Sequence, residues 1–315
     1  MLKNIALVSF FLAFTVVILG AWVRLTDAGL GCPDWPGCYG DLLVPSNVDL
    51  IDGFDQSLDD RPFDSGKAWR EMIHRYLASA LGILCLAILA LAWKRRKSLL
   101  LPVLLVLTVG FQGILGMLTV TWLLKPVIVM AHLLGGFTTL SLLFLIIRKN
   151  KPKITTTINI RRLMLIGLFT VIAQIALGGW TSSNYAATAC PDFPTCQAQW
   201  WPDNMNFTNG FDLWHEIGID YEGGILDNQA RTAIHFSHRL GAIALILVTL
   251  IIGFSLRKIP ATFMLGSALL AILSVQVSIG ISLIIFALPI TLAVLHNGFA
   301  ALLLLFMIEA VRKTY

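Results

Sequence analysis

Residues 70–97 read REMIHRYLASALGILCLAILALAWKRRK. The middle of this stretch is almost wholly apolar for about twenty positions, enough for one helix to cross a bilayer core. Its end, Lys94-Arg95-Arg96-Lys97, is a basic cluster that marks a cytoplasmic flank. Its beginning carries Glu71, His74 and Arg75, ionisable groups that are costly at a membrane boundary and therefore functional candidates.

Seven further runs of the same kind surround it. The expected spans are residues 4–24, 70–93, 99–121, 126–148, 161–181, 232–254, 262–286 and 289–311. Of the 315 residues, 57% are hydrophobic and 13% charged, against about 45–50% and 25% in soluble domains. A soluble enzyme, a disordered chain and a nucleic-acid binder are thereby excluded. The net charge of +5 is spread in short clusters between apolar runs and needs no anionic partner.

Those clusters orient the chain. Lys94–Lys97, Arg148 to Arg162, Arg257-Lys258 and Arg312-Lys313 all fall on one side, which the positive-inside rule makes cytoplasmic. Of the 18 acidic residues, only Glu309 lies near that side. Both termini are expected in the cytoplasm, with long external loops over 25–69 and 182–231. All Trp residues but Trp93 fall outside or at outer helix ends, as an interfacial belt requires. The first span lacks a following Ala-x-Ala site and reads as a retained helix.

The chain repeats itself. Leu19-Gly20-Ala21-Trp22 and Cys32-Pro33-Asp34-Trp35-Pro36-Gly37-Cys38 match Leu177-Gly178-Gly179-Trp180 and Cys190-Pro191-Asp192-Phe193-Pro194-Thr195-Cys196 at an offset of 158. His74-Arg75, Gln112, Gly116 and His132 match His238-Arg239, Gln276, Gly280 and His296 at 164. Four spans per copy keep one orientation, so the expected fold is an all-α integral membrane protein. Its eight transmembrane helices form two parallel four-helix-bundle repeats, residues 1–153 and 154–315.

The four histidines are expected near the outer face, His74 and His238 about one turn inside the ends of their helices. Two neutral imidazoles from facing helices can be the axial ligands of a haem iron. Zinc is less apt, because it wants a third or fourth protein ligand and none lies at that depth. Arg75 and Arg239 are candidates to meet haem propionates. The copies differ at Glu71, whose counterpart is His235. A carboxylate beside a haem can handle protons. This points to chemistry in the first copy and a permanent haem in the second, with His235 as a supporting or spare group. The bland alternatives are neutral bridging imidazoles, interfacial anchors for the arginines, and a Glu71 paired with Arg70 or Arg75.

Cys32/Cys38 and Cys190/Cys196 lie in external loops, where disulfides are expected, structural or redox-active. Cys85 is mid-helix and reads as inert packing. Gly113, Gly116 and Gly280 allow close helix contact, Met72, Met117 and Met130 fill the core, and His215 and Glu216 read as surface.

Taken together, the eight spans, Glu71-x-x-His74-Arg75, His238-Arg239, His132, His296 and the Cys-Pro-Asp-aromatic-Pro-x-Cys loops resemble the bacterial haem A synthase family over essentially the whole chain. The resemblance implies a membrane oxidoreductase. It would convert the C8 methyl group of haem O to a formyl group by successive hydroxylations, giving haem A for terminal oxidases. It implies haem B on His238 and His296, substrate haem on His74 and His132, and catalysis by Glu71. It gives the first cysteine pair a part in haem transfer or electron flow. The implied partners are haem O synthase and a membrane electron acceptor, and the implied place is the bacterial inner membrane. Two rivals use the same residues differently. A di-haem b-type cytochrome exchanging electrons with quinone would assign no substrate. A duplicated transporter would need broken helices and midplane polar groups.

Overall fold

The computed structural model describes residues 2–46 and 62–314. Residues 47–61, part of the expected loop over 25–69, lie outside it. The protein is an all-α membrane protein. Among the described residues eight helices are long and apolar enough to cross a bilayer: α1 (Leu2–Leu25), α2 (Ser65–Lys94), α3 (Leu100–Thr121), α4 (Pro126–Arg148), α5 (Ile158–Ser183), α7 (Asn228–Arg257), α8 (Phe263–Ile285) and α9 (Ile290–Lys313). The short α6 (Phe207–Gly210) lies in the loop between α5 and α7. Among the described residues there is no strand, only the isolated bridges Cys38–Asp41 and Cys196–Gln199.

The spans fall where hydropathy places them, with one systematic difference. α2 and α7 begin four or five residues earlier, through polar first turns that hydropathy does not register. Asp64 accepts the Lys67 amide at 3.0 Å and Asp227 accepts the Ala230 amide at 2.7 Å, each capping a helix of 30 residues. His74 is therefore about 14 Å from the start of α2 and His238 about 15 Å from that of α7, at about 1.5 Å per residue. They sit two to three turns inside their helix ends rather than one.

The chain divides into two compact units. One comprises Met1–Ile147 with Trp214–Glu222. Here α1 packs on α2 and α2 on α3, while the backbone of α4 makes no comparably close approach to α1 or α3. The turn from α3 to α4 places Leu123 and Leu124 in the left-handed region, at φ 48° and 61°. Leu124 is thereby turned inward onto Leu30, Val120 and Tyr221. Tyr221 is fully buried, its amide donates to the Leu123 carbonyl at 3.0 Å, and its hydroxyl donates to Glu216 O at 2.6 Å. His215 packs on that ring, half-buried, rather than standing in solvent.

The other unit comprises Arg148–Leu213 and Gly223–Tyr315. Its helices approach in a closed cycle, α5 on α7, α7 on α8, α8 on α9 and α9 on α5. Near the C-terminal end of α9, Glu309, buried at 7% exposure, accepts from Arg148 and from Arg312, the latter at 2.7 Å. The 148–157 segment is laced to the C-terminal end, for Ile154 N donates to Lys313 O at 2.7 Å and Arg312 donates to Lys151 O at 2.9 Å.

Candidate functional site

Each cysteine pair forms a disulfide that closes a small hairpin. Cys38 N donates to Asp41 O at 2.7 Å, and Cys196 N donates to Gln199 O at 2.9 Å. The Asp of the Cys-Pro-Asp motif organises the turn. Asp34 accepts the amides of Tyr39 and Gly40 at 2.6 and 2.9 Å. Asp192 accepts those of Gln197 and Ala198 at 2.6 and 3.0 Å. These amides belong to residues in the left-handed region, where a local acceptor offsets the backbone cost. The Thr195 hydroxyl, together with the Ala198 and Gln197 amides, holds the Asp192 carboxyl below the usual carboxylate range.

Both hairpins are fastened to the helix that carries the first histidine of each pair. Glu71, 5% exposed, accepts the Cys32 amide at 3.0 Å and is paired with Arg75 at 2.6 Å. Its counterpart His235, also 5% exposed, accepts the Cys190 amide on Nδ1 at 3.3 Å. Gly31 lies so close to the α2 backbone that a Cβ there would come within 2.6 Å of the Lys67 carbonyl carbon. The arginines grip the loops. Arg75 donates to the carbonyls of Asp34, Pro36 and Gly37. Arg239 donates to those of Thr195, Cys190 and Asp192, at 2.7, 2.8 and 2.9 Å. Position alone made both arginines propionate candidates. Their terminal nitrogens are spent largely on the loops, while Arg239 Nε stays buried without a partner.

The imidazoles rest on glycines of the preceding helix. A Cβ at Gly20, Gly116, Gly178 or Gly280 would stand 3.0, 3.6, 3.2 or 3.1 Å from Cε1 of His74, His132, His238 or His296 respectively. At Gly20, Gly178 and Gly280 a Cβ would press on the ring, whereas at Gly116 it would make ordinary contact. His74 and His132 face each other with ring centres 6.5 Å apart and planes at 76°. Their Nδ1 atoms, like that of His296, are covered and lack a hydrogen-bond partner. His238 and His296 lie close enough to interact electrostatically. Gln174 Nε2 stands 3.0 Å from His238 Nδ1, and Gln276 Nε2 stands 3.2 Å from His296 Nε2.

Comparison with known proteins turns this geometry into a family assignment. The family model described as cytochrome oxidase assembly protein, COX15-CtaA, matches residues 3–308. The chain belongs to the COX15-CtaA family. It is 45% identical over 302 residues to a haem A synthase of Shewanella oneidensis, covering 93% of this chain and 91% of the relative. It is 27% identical to the haem A synthase of Caulobacter vibrioides, over 93% of this chain and 90% of that one. It is 26% identical to that of Shouchella clausii, over 68% and 70%.

A COX15-CtaA member invites the question whether its histidine pairs suit a haem. A metal–imidazole bond is about 2.0–2.1 Å, and a ring centre lies about 1.2 Å behind its nitrogen, so two rings sharing one metal have centres roughly 6.4 Å apart. The 6.5 Å between His74 and His132 fits that span. Among the described residues no three His, Cys, Asp or Glu converge on one point. His74 and His132 thus offer two imidazoles at a spacing that suits an iron whose other four positions belong to a porphyrin. Covered nitrogens without partners are the expected mark of a ligand site.

Sequence reasoning overlooked Gln174 and the turn-forming Asp34 and Asp192. Gln174 had a signal, because a long amide stands alone in the apolar run of α5. The aspartates had one too, as the third residue of a motif present in both loops.

Proposed function

We propose that this protein converts haem O to haem A in the bacterial inner membrane, with both termini in the cytoplasm and the disulfide loops outside. The facing of His74 and His132 beside the buried Glu71, in a chain of this family, carries the reading. The net change at the C8 methyl group, R–CH3 plus water to R–CHO, releases four electrons and four protons. The electrons leave to an acceptor in the membrane. The distribution of basic clusters supports the orientation.

Residues 1–153 form the substrate half in this reading, and residues 154–315 the half that keeps a resident cofactor. His74 and His132 hold the substrate haem between them and set the distance of its edge from α2. Glu71, on the same face of α2 three residues before His74, takes protons released as the methyl group is oxidised. Arg75 sits beside that carboxylate and keeps it oriented. His238 and His296 hold haem B, which supplies a one-electron redox centre when bound. Arg75 and Arg239 are the propionate-facing cations, a role shared with fastening the loops. Haem O synthase, as the source of a lipid-tailed substrate, is the expected neighbour in the bilayer.

Extraction of the pigments from purified protein, with mass identification, tests this directly. Haem B together with haem O or haem A is expected. Two equivalents of haem B alone would assign the protein to di-haem electron transfer instead. Glu71→Ala should keep the resident haem and stop haem A formation. Normal accumulation of haem A in that variant would leave Glu71 as only an anchor for the Cys32 amide.

A further inference from the structure

Glutamine side chains reach the second histidine pair and not the first. Gln174 Nε2 lies 3.0 Å from His238 Nδ1 and 3.0 Å from the His238 carbonyl oxygen. Gln276 Nε2 lies 3.2 Å from His296 Nε2. The oxygens of both amides are buried and have no partner. An amide seen this way can present either its oxygen or its nitrogen. That freedom belongs to Gln276, whereas the carbonyl contact fixes the Gln174 nitrogen towards His238; each amide meets one ring nitrogen and leaves the other clear. The seat for Gln174 is made by Gly241, since a Cβ at that position would run into the amide and would also lie 3.0 Å from Leu177.

The first unit lacks this arrangement at corresponding positions. Val16 stands where the 158 offset puts Gln174, and Leu77 stands where the 164 offset puts Gly241. Gln112 corresponds to Gln276, yet its Nε2 is buried without a partner, and His74 meets the Val16 backbone instead of an amide side chain. By analogy with Gln174 and Gly241, restoring the contact at His74 takes both changes, a glutamine at 16 and a glycine at 77.

We propose that Gln174 and Gln276 are positioning residues that lock His238 and His296 for a haem that stays, and that the first pair, which no glutamine side chain engages, holds a haem that comes and goes. This rests on the reading that each pair ligates one haem. A group that engages the second nitrogen of a ligating imidazole fixes its tautomer and ring orientation, and its removal typically costs about 10–100-fold in metal affinity. In the first unit such a lock would hold back the product. The difference between a cofactor site and a substrate site is thus written in groups that never touch the iron.

The test uses the full-length protein purified in detergent with its resident haem. Gln174→Leu should speed transfer of that haem to excess apomyoglobin by about 10-fold or more. It should also shift the low-spin electron paramagnetic resonance signal and the midpoint potential, readouts that a packing defect elsewhere would not move. Gln174→Asn, which keeps an amide, should lie between Leu and wild type. Gln276→Leu gives the same measurement from α8 should Gln174→Leu fail to accumulate. Conversely, Val16→Gln combined with Leu77→Gly should slow loss of haem O, loaded from micelles, from the first site. Unchanged transfer rate, signal and potential in both glutamine variants would overturn the proposal. Wild-type protein with no bis-imidazole low-spin haem would instead overturn the ligand reading beneath it.

Discussion

Around His238 an amide and a glycine close in, and α5, α7, α8 and α9 form an unbroken cycle of neighbouring backbones. Around His74 the same positions carry Val16 and Leu77, and the backbone of α4 approaches those of α1 and α3 less closely, the contact being made by side chains. Eight residues of α9 are buried against five of α4. Nearly the same ligand-bearing sequence is therefore set in a tight frame once and in a looser frame once. Packing density governs how easily a cavity opens. The tight frame suits something retained, and the loose one suits a large, lipid-tailed molecule that must arrive sideways through the bilayer and depart.

The hardest test of this contrast removes ligands one at a time. His238→Ala or His296→Ala should abolish the resident low-spin haem of the purified protein, read from its absorption spectrum. His74→Ala and His132→Ala should leave it in place. Equal loss in all four variants would mean that the units do not differ in what they keep.

Much of this contrast could be read before any coordinates. The eight spans follow from apolar runs, and the correspondence of His74 with His238 and of Glu71 with His235 follows from two offsets. What could not be read falls into two kinds. Polar first turns extend α2 and α7 because Asp64 and Asp227 cap them, and hydropathy is blind to a cap. The grip of Arg75 on Pro36 and Gly37 spans some 38 to 39 residues of chain, so charge and position suggested haem propionates as partners and gave no sign of the loop carbonyls. Gln174 lay in between: visible as an oddity in an apolar helix, but meaningless until His238 was seen beside it.

The next comparison concerns the one chemical difference at the shared slot, where Glu71 and His235 do the same mechanical task of holding a cysteine amide. If proton handling belongs to the first unit, Glu71→Gln keeps an acceptor for the Cys32 amide yet lowers haem A formation by about 100-fold or more, the usual range for a lost acid–base group. His235→Gln keeps the analogous contact and should change the rate by no more than a few-fold. Similar losses in both would show that anchoring the loops, rather than chemistry, is what the slot provides.

A smaller effect is expected from the disulfides. Each closes a loop with a sequence separation of 6, for which the chain-entropy account gives about 2 kcal/mol. Cys190→Ser with Cys196→Ser should lower thermal stability by that amount and spare the first unit's chemistry. Cys32→Ser with Cys38→Ser should cost as much again, and should also reduce turnover, because the Cys32 amide is held by Glu71 itself. Equal effects on turnover would remove any special role for the first pair.

The smallest contrast lies within the hairpins. Thr195 adds a hydroxyl to Asp192, whereas the matching position in the first loop is Gly37, where a Cβ would collide with the Asp41 carbonyl oxygen. Because its folded carboxyl is held below the ordinary value of 3.8, Asp192 contributes its stabilisation fully above that value. The contribution is lost only as the pH falls through the lower folded value. Between pH 5 and 8 the second hairpin should therefore show no acid-induced loosening, measured as proteolysis of the external loop. Thr195→Ala should bring the onset of loosening closer to the ordinary carboxylate range, by removing the hydroxyl that stabilises the ionised form. An onset that does not move would mean that the Gln197 and Ala198 amides alone hold the turn, as the Tyr39 and Gly40 amides must in the first loop, and the two hairpins would then be equivalent.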